Sequence, residues 1–177
     1  TRDADGERTW HMHADNVRDF AFSASDTFAW DAMGVPIPGT DDTAMAMSLW
    51  PPEGDGLWDQ FSTHAIAQAL DSYSRTAIPY PWPVCWSVNG PVGGMEYPMI
   101  TFNGPRPEED GTWSSRSKYG LISVIIHEIG HSWFPMIINT DERQWTWLDE
   151  GFNSFIQFHA EQLWEDDYPS WRGKPEE

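Results

Sequence analysis

Apolar positions along the chain fall into two periods, one helical and one alternating. From residue 57 to about 75, Leu57, Phe61, Ala65, Ile66, Ala69, Leu70 and Tyr73 recur at helical spacing and define one apolar face. Prolines at 79, 81 and 83 prevent continuation. A second helix is expected from about Ser117. It carries Leu121, Ile122, Val124, Ile125 and Ile129 and is ended near Pro135. A third is expected from about Leu148 to about Trp164, resting on Phe152, Phe155, Ile156 and Leu163. Shorter runs predict strands. These are residues 17–22, then 43–50 after a Pro/Gly loop over 34–39, then 84–88 and 95–102 with the turn Asn89-Gly90-Pro91 between them. Pro51 and Pro52 stop the second of these strands, and a polar loop over 103–112 follows the last. Strands and helices alternate without an evident series of parallel crossovers, which predicts an α+β class.

Composition narrows the class. The 177 residues are enough for one ordinary domain with a real core, and 40% hydrophobic with 21% charged residues is a globular balance. The longest apolar stretch, 121–126, is interrupted by Ser123 and is far too short to span a bilayer, so no transmembrane segment is expected. The chain opens on Thr1 without a charged-then-apolar leader, as expected of a processed protein or a piece of a longer one. The single cysteine, Cys85, excludes an internal disulfide and is expected to be a buried, inert thiol. Twelve tryptophans, from Trp10 to Trp171, form no repeat and are expected mostly in packing.

Charge excludes one class of partner. With 28 acidic and 10 basic residues the formal charge is −18, a surface that repels phosphate backbones and argues against nucleic acid. Adaptation to a salty medium, where screening relieves self-repulsion, is one reading, and ordinary surface acidity is the other. Melting temperature against added salt separates them. His11 and His13 would share a strand face, but with no third ligand nearby they read as solvated or packed side chains.

The chemistry concentrates in His127-Glu128-Ile129-Gly130-His131, an H-E-x-x-H pattern inside the second predicted helix. Positions i and i+4 lie one turn apart on one face, so both imidazoles can reach one zinc ion. Glu128, beside the first ligand, can face a water on the metal and accept its proton. A catalytic zinc needs a third protein ligand and an open position. The segment Trp147-Leu148-Asp149-Glu150-Gly151-Phe152 offers two carboxylates, Asp149 and Glu150, at the start of the third helix. Asn153 and Ser154 either orient a ligand from behind or serve capping and packing.

This arrangement resembles the gluzincins, in which a Glu from the following helix completes the site, and the resemblance selects Glu150 as the third ligand. Gly93-Gly94-Met95-Glu96 resembles the G-x-M-E-N segment of the M1 family of zinc aminopeptidases, upstream of the helix as in that family. Val17-Arg18-Asp19-Phe20 resembles the join between the family's N-terminal β-domain and its thermolysin-like catalytic domain. The likeness covers most of the chain. It implies the end of a β-rich domain over 1–24 and a thermolysin-like zincin catalytic domain over 25–177, truncated at its C-terminal side. It further implies one Zn²⁺ on His127, His131 and Glu150, with Glu128 as general base and Glu96 gripping the free α-amino group of a peptide. Gly93 and Gly94 would let the substrate backbone approach, and Met95 would line the first side-chain pocket. Peptides with a free N-terminus are the implied substrates, and an extracytoplasmic location (periplasmic or secreted) is the implied address. Two departures stand out. Tyr97 replaces the motif's Asn, and no tyrosine is assigned to the oxyanion, since Tyr168, the single tyrosine among the 27 residues after Glu150, is too close to it. An endopeptidase on the same framework and a catalytically silent, zinc-stabilised interaction module are the alternatives.

Overall fold

A computed structural model describes residue 6 and residues 8–170. Trp171 and the outer ends of the two expected domains lie outside the described residues. The elements in chain order are β1 (Ala29–Pro36), β2 (Thr43–Trp50), α1 (Trp58–Thr76), β3 (Val84–Asn89), β4 (Gly94–Tyr97), β5 (Ile100–Asn103), α2 (Ser115–Gly130) and α3 (Glu150–Trp164). The strands form one mixed sheet in the order β1-β2-β3-β5-β4, parallel at its centre and antiparallel at both edges. α1 lies over β1, β2 and β3, α2 lies over β5 and β4, and α3 packs against both helices. The α+β expectation agrees with this mixed architecture.

α1 forms where the apolar period predicts it. Ala65, Ile66, Ala69, Leu70 and Tyr73 are all buried, and the bidentate pair of Arg75 with Asp71 supports the last turn. α2 begins at a Ser N-cap, Ser114, whose hydroxyl accepts from Ser117 N at 3.2 Å. Its Leu121, Ile122, Ile125, Ile126 and Ile129 are wholly buried and form the centre of the core with α1. Beyond Gly130 the helix breaks at a kink, where Phe134, just before Pro135, takes an extended backbone with φ −129° and ψ 107°. Cys85 is buried on β3, and desolvation pushes its thiol up to about 12, which keeps it neutral and unreactive as expected. Trp50, Trp58, Trp82 and Trp133 are in the core, whereas Trp10, Trp30, Trp145 and Trp147 are exposed, so packing accounts for only part of the tryptophan content.

Four expectations are corrected. Residues 17–22 form no strand but an irregular segment, which Arg18 ties to Glu142 at 2.6 Å. The Pro/Gly loop expected over 34–39 contains the end of β1. An edge strand tolerates Gly34 and Pro36 because one side of its backbone has no ladder to fill. The single strand expected over 95–102 is a hairpin: Pro98 presets the first corner and Met99 takes φ 66° at the second, the combination a type II turn requires. The turn at Asn89-Gly90-Pro91 therefore does not join neighbours, because β5 inserts between β3 and β4. Finally, Phe152, Phe155 and Leu163, expected to bury α3, are exposed. The hairpin makes β4 a sheet edge lying over α2, and that placement builds the site.

Candidate functional site

His127 and His131 stand on successive turns at the end of α2, both buried, with ring centroids 4.8 Å apart and planes at 87°. Their Nε2 atoms are 3.2 Å apart. Glu150, the first residue of α3, brings Oε2 to 3.1 Å from His127 Nε2 and 3.9 Å from His131 Nε2. The other ring nitrogens fix the tautomers. His131 Nδ1 is 2.9 Å from Phe134 O, which only accepts, and His127 Nδ1 is 2.9 Å from Gln157 Oε1, also an acceptor. Asn153 Nδ2 also lies 3.3 Å from His127 Nδ1, but its short bond is to His127 O at 2.7 Å, so the closer acceptor Gln157 Oε1 decides. Both Nδ1 atoms then carry the hydrogen, and two Nε2 lone pairs face each other and a carboxylate oxygen. That donor set calls for a cation. Ligand atoms about 2.0–2.1 Å from a tetrahedral zinc stand about 3.3–3.4 Å apart. The three separations here, 3.1, 3.2 and 3.9 Å, bracket that value, so the residues fit a zinc ion.

The structure also separates the two carboxylates left open by spacing. Asp149 Oδ1 lies 2.9 Å from His131 Nδ1, on the far side of the ring from Nε2, and the Nδ1 hydrogen is directed to Phe134 O instead. Glu150, not Asp149, joins the two histidines as a group able to hold a metal. Burial pushes the Asp149 carboxyl up; His131 opposes this, and the charges of Glu96 and Glu150 add to it.

Glu128 is buried one residue after the first histidine. β4 passes directly over it. A Cβ built at Gly94 would fall 2.0 Å from Glu128 Oε1 and 2.9 Å from Val124 Cγ2, so only glycine lets the strand come this close. A Cβ at Gly93 would meet nothing within 4 Å. Strand alternation puts Glu96 on the same side as Gly94, and oxygens of Glu96 and Glu128 and a nitrogen of His131 all lie within 4.8 Å of one another. Met95 points to the opposite side, 38% exposed, and is not brought to this cluster. Tyr97 packs edge-on against Phe102, and Tyr168 is buried with its hydroxyl donating to Tyr119 O, away from the histidines. His11 and His13 are exposed, the latter 3.3 Å from Asp15, and join no metal-binding group among the described residues.

A cavity of about 1070 Å³ opens at Gly94, Glu128 and Glu150 and continues between α2 and α3 past Ser154 to Glu161. Its wall contains Gln157 and Glu161, which sequence reasoning missed. Gln157 bonds to His127, Ser123 and Glu161. Asn153 Nδ2 donates to His127 O at 2.7 Å, which resolves its open role in favour of holding the first histidine's backbone. Gly130 is the point of contact between the helices, since a Cβ there would stand 2.1 Å from Asn153 Oδ1. A signal for the two missed residues was present: Gln157 and Glu161 follow Asn153 at spacings of four, a polar stripe down α3.

Known proteins resemble this chain in sequence and in fold. The chain is 29% identical over 119 residues to Aminopeptidase M1 of Arabidopsis thaliana, covering 64% of this chain and 13% of that protein. It is 30% identical over 122 residues to Leucine aminopeptidase 2 of Neurospora crassa, covering 67% and 16% respectively. The chain thus spans only about a tenth to a sixth of the length of the curated relatives it matches. Among solved structures, the M1 zinc metallopeptidase of Deinococcus radiodurans superposes with a TM-score of 0.58 at 21% identity, covering 79% of this chain and 30% of that one. Aminopeptidase A of Legionella pneumophila, in complex with aspartic acid, gives 0.62 at 13% identity, covering 77% and 16%. These likenesses show the fold, consistent with a thermolysin-like catalytic domain. The model of the peptidase family M1 domain matches residues 61–175, which include both helices of the site and β4, and the chain belongs to that family.

Proposed function

We propose that this chain carries the catalytic metal centre of a zinc-dependent aminopeptidase, with His127, His131 and Glu150 as ligands. The observation that supports it best is the convergence of His127 Nε2, His131 Nε2 and Glu150 Oε2, with the Glu128 carboxylate buried beside them under β4. When bound, zinc supplies positive charge that polarises a carbonyl and acidifies a water molecule. Glu128 takes the proton from the attacking water on a carboxylate oxygen and later returns it to the leaving amine nitrogen. Glu96, on the neighbouring strand, pairs with the substrate's α-ammonium, which is largely protonated at neutral pH. Cleavage is then counted from the N-terminus. Among the described residues β4 is an edge of the sheet, and its outer side offers backbone groups for an extended peptide to add as a further strand.

Glu128→Gln is expected to keep one zinc per chain while hydrolysis of aminoacyl amides falls about 10²–10⁴-fold. Full activity in that variant removes Glu128 as the base. N-acetylated peptides should be poor substrates. If they are cleaved as fast as free ones, Glu96 does not read the amine and the activity is that of an endopeptidase.

A further inference from the structure

The deepest polar group in the cavity wall is a carboxylate with no part in the reaction just described. Glu161 is 2% exposed, two turns along α3 from Asn153, and accepts hydrogen bonds from Gln157 Nε2 at 2.7 Å, from Ser123 Oγ and from Ser170 Oγ. A carboxylate in this setting can only accept. It therefore holds the Gln157 amide with its NH2 towards Glu161 and its carbonyl oxygen towards His127, where Oε1 stands 2.9 Å from Nδ1. Ser123 Oγ, 2.9 Å from the same Nε2, completes the hold. Were the amide reversed, its NH2 would face Nδ1, and the ring proton would move to Nε2 and block the metal.

We propose that Glu161 is a positioning residue for His127. Acting through Gln157, it sets the amide's direction, and the amide sets the imidazole tautomer that leaves Nε2 open to the ion. This rests on the reading of His127 as a zinc ligand. The chain carboxylate–amide–imidazole extends the usual partnership of a metal-binding histidine with a group behind it by one link.

The test uses metal-free full chain, in which ring nitrogen shifts report the His127 tautomer, followed by zinc titration against a competing chelator. Wild type should show the hydrogen on Nδ1. Glu161→Gln keeps the volume but can donate as well as accept, so it no longer dictates the amide's direction. It should populate the other tautomer and weaken zinc binding about 10–100-fold. The swap Gln157→Glu with Glu161→Gln places an obligatory acceptor directly on Nδ1 and should recover both readouts. An unchanged tautomer and affinity in Glu161→Gln overturn the proposal. So does a loss that the swap fails to recover, which would mark Glu161 as packing alone. Wild-type chain that binds no zinc refutes the metal reading, while the tautomer in the metal-free protein still decides the role of Glu161.

Discussion

Helices α1 and α3 both carry an apolar stripe at helical spacing, and they bury opposite kinds of face. α1 turns Ala65, Ile66, Ala69, Leu70 and Tyr73 into the core. α3 turns Asn153, Gln157, Ala160 and Glu161 inward and leaves Phe152 at 41%, Phe155 at 51% and Leu163 at 63% exposure. Burying polar groups costs about 1–3 kcal/mol each unless they are hydrogen-bonded. On α3 most of the bonds are present, Asn153 Oδ1 being the buried atom left without a partner. Asn153 holds His127 O, Gln157 is bonded at both ends of its amide, and Glu161 accepts from three side chains. The difference between the helices is one of purpose: α1 stabilises by area removed from water, whereas α3 gives up that area to present a polar stripe to the second helix of the site.

The comparison is broken most directly on α1. Leu70→Ala should destabilise by about 2–5 kcal/mol, through lost transfer energy and the cavity left behind, with zinc affinity little changed. Denaturant unfolding measures the first and chelator competition the second. A loss below about 1 kcal/mol would mean that α1 is not the apolar anchor described above.

A smaller effect sharpens the contact between α2 and α3. Glycine inside a helix is about 1 kcal/mol worse than alanine, so Gly→Ala stabilises wherever space allows. Gly120, with nothing within 4 Å of a built Cβ, should gain about 0.5–1 kcal/mol as Gly120→Ala. Gly130 is on the same helix, but its Cβ would meet Asn153 Oδ1 at 2.1 Å and Tyr73 Oη at 2.9 Å. Gly130→Ala should lose about 1–3 kcal/mol and weaken zinc binding, because Asn153 must move off His127 O. Equal effects at the two glycines would show that the helices have room to separate.

How much of this was legible in the sequence follows the same division. β2 has its expected limits and α1 is within one residue of them, because both rest on local period and proline punctuation. The two histidines of the site and the choice between Asp149 and Glu150 also came from the chain, the first from helical spacing and the second from family likeness. Three things were not legible. β1 was hidden because Gly34 and Pro36 read as loop residues, and only its place at a sheet edge makes them acceptable. The insertion of β5 between β3 and β4 is a non-local pairing that no local pattern encodes. The inward face of α3 was misread because apolar periodicity says which residues share a face, not which face is needed inside. The stripe Asn153, Gln157, Glu161 was equally periodic, and its hydrogen-bond partners Ser123 and His127 lie about thirty to forty positions earlier in the chain.

The smallest expected effect tests that last point. If the apolar stripe of α3 is truly outside, truncating it should cost almost nothing in the 177-residue chain. Leu163→Ala, at a position 63% exposed, removes little buried area and exchanges one good helix former for another. The expected change in unfolding free energy is within about 0.5 kcal/mol, several-fold below the same substitution at Leu70. Leu70 is turned into the core inside α1 and Leu163 outward in the last turn of α3, so their ratio reports on the inversion. A loss at Leu163 approaching that at Leu70 would mean the stripe is covered, and the polar groups of α3 would then have to be paired on a face that also packs an apolar neighbour.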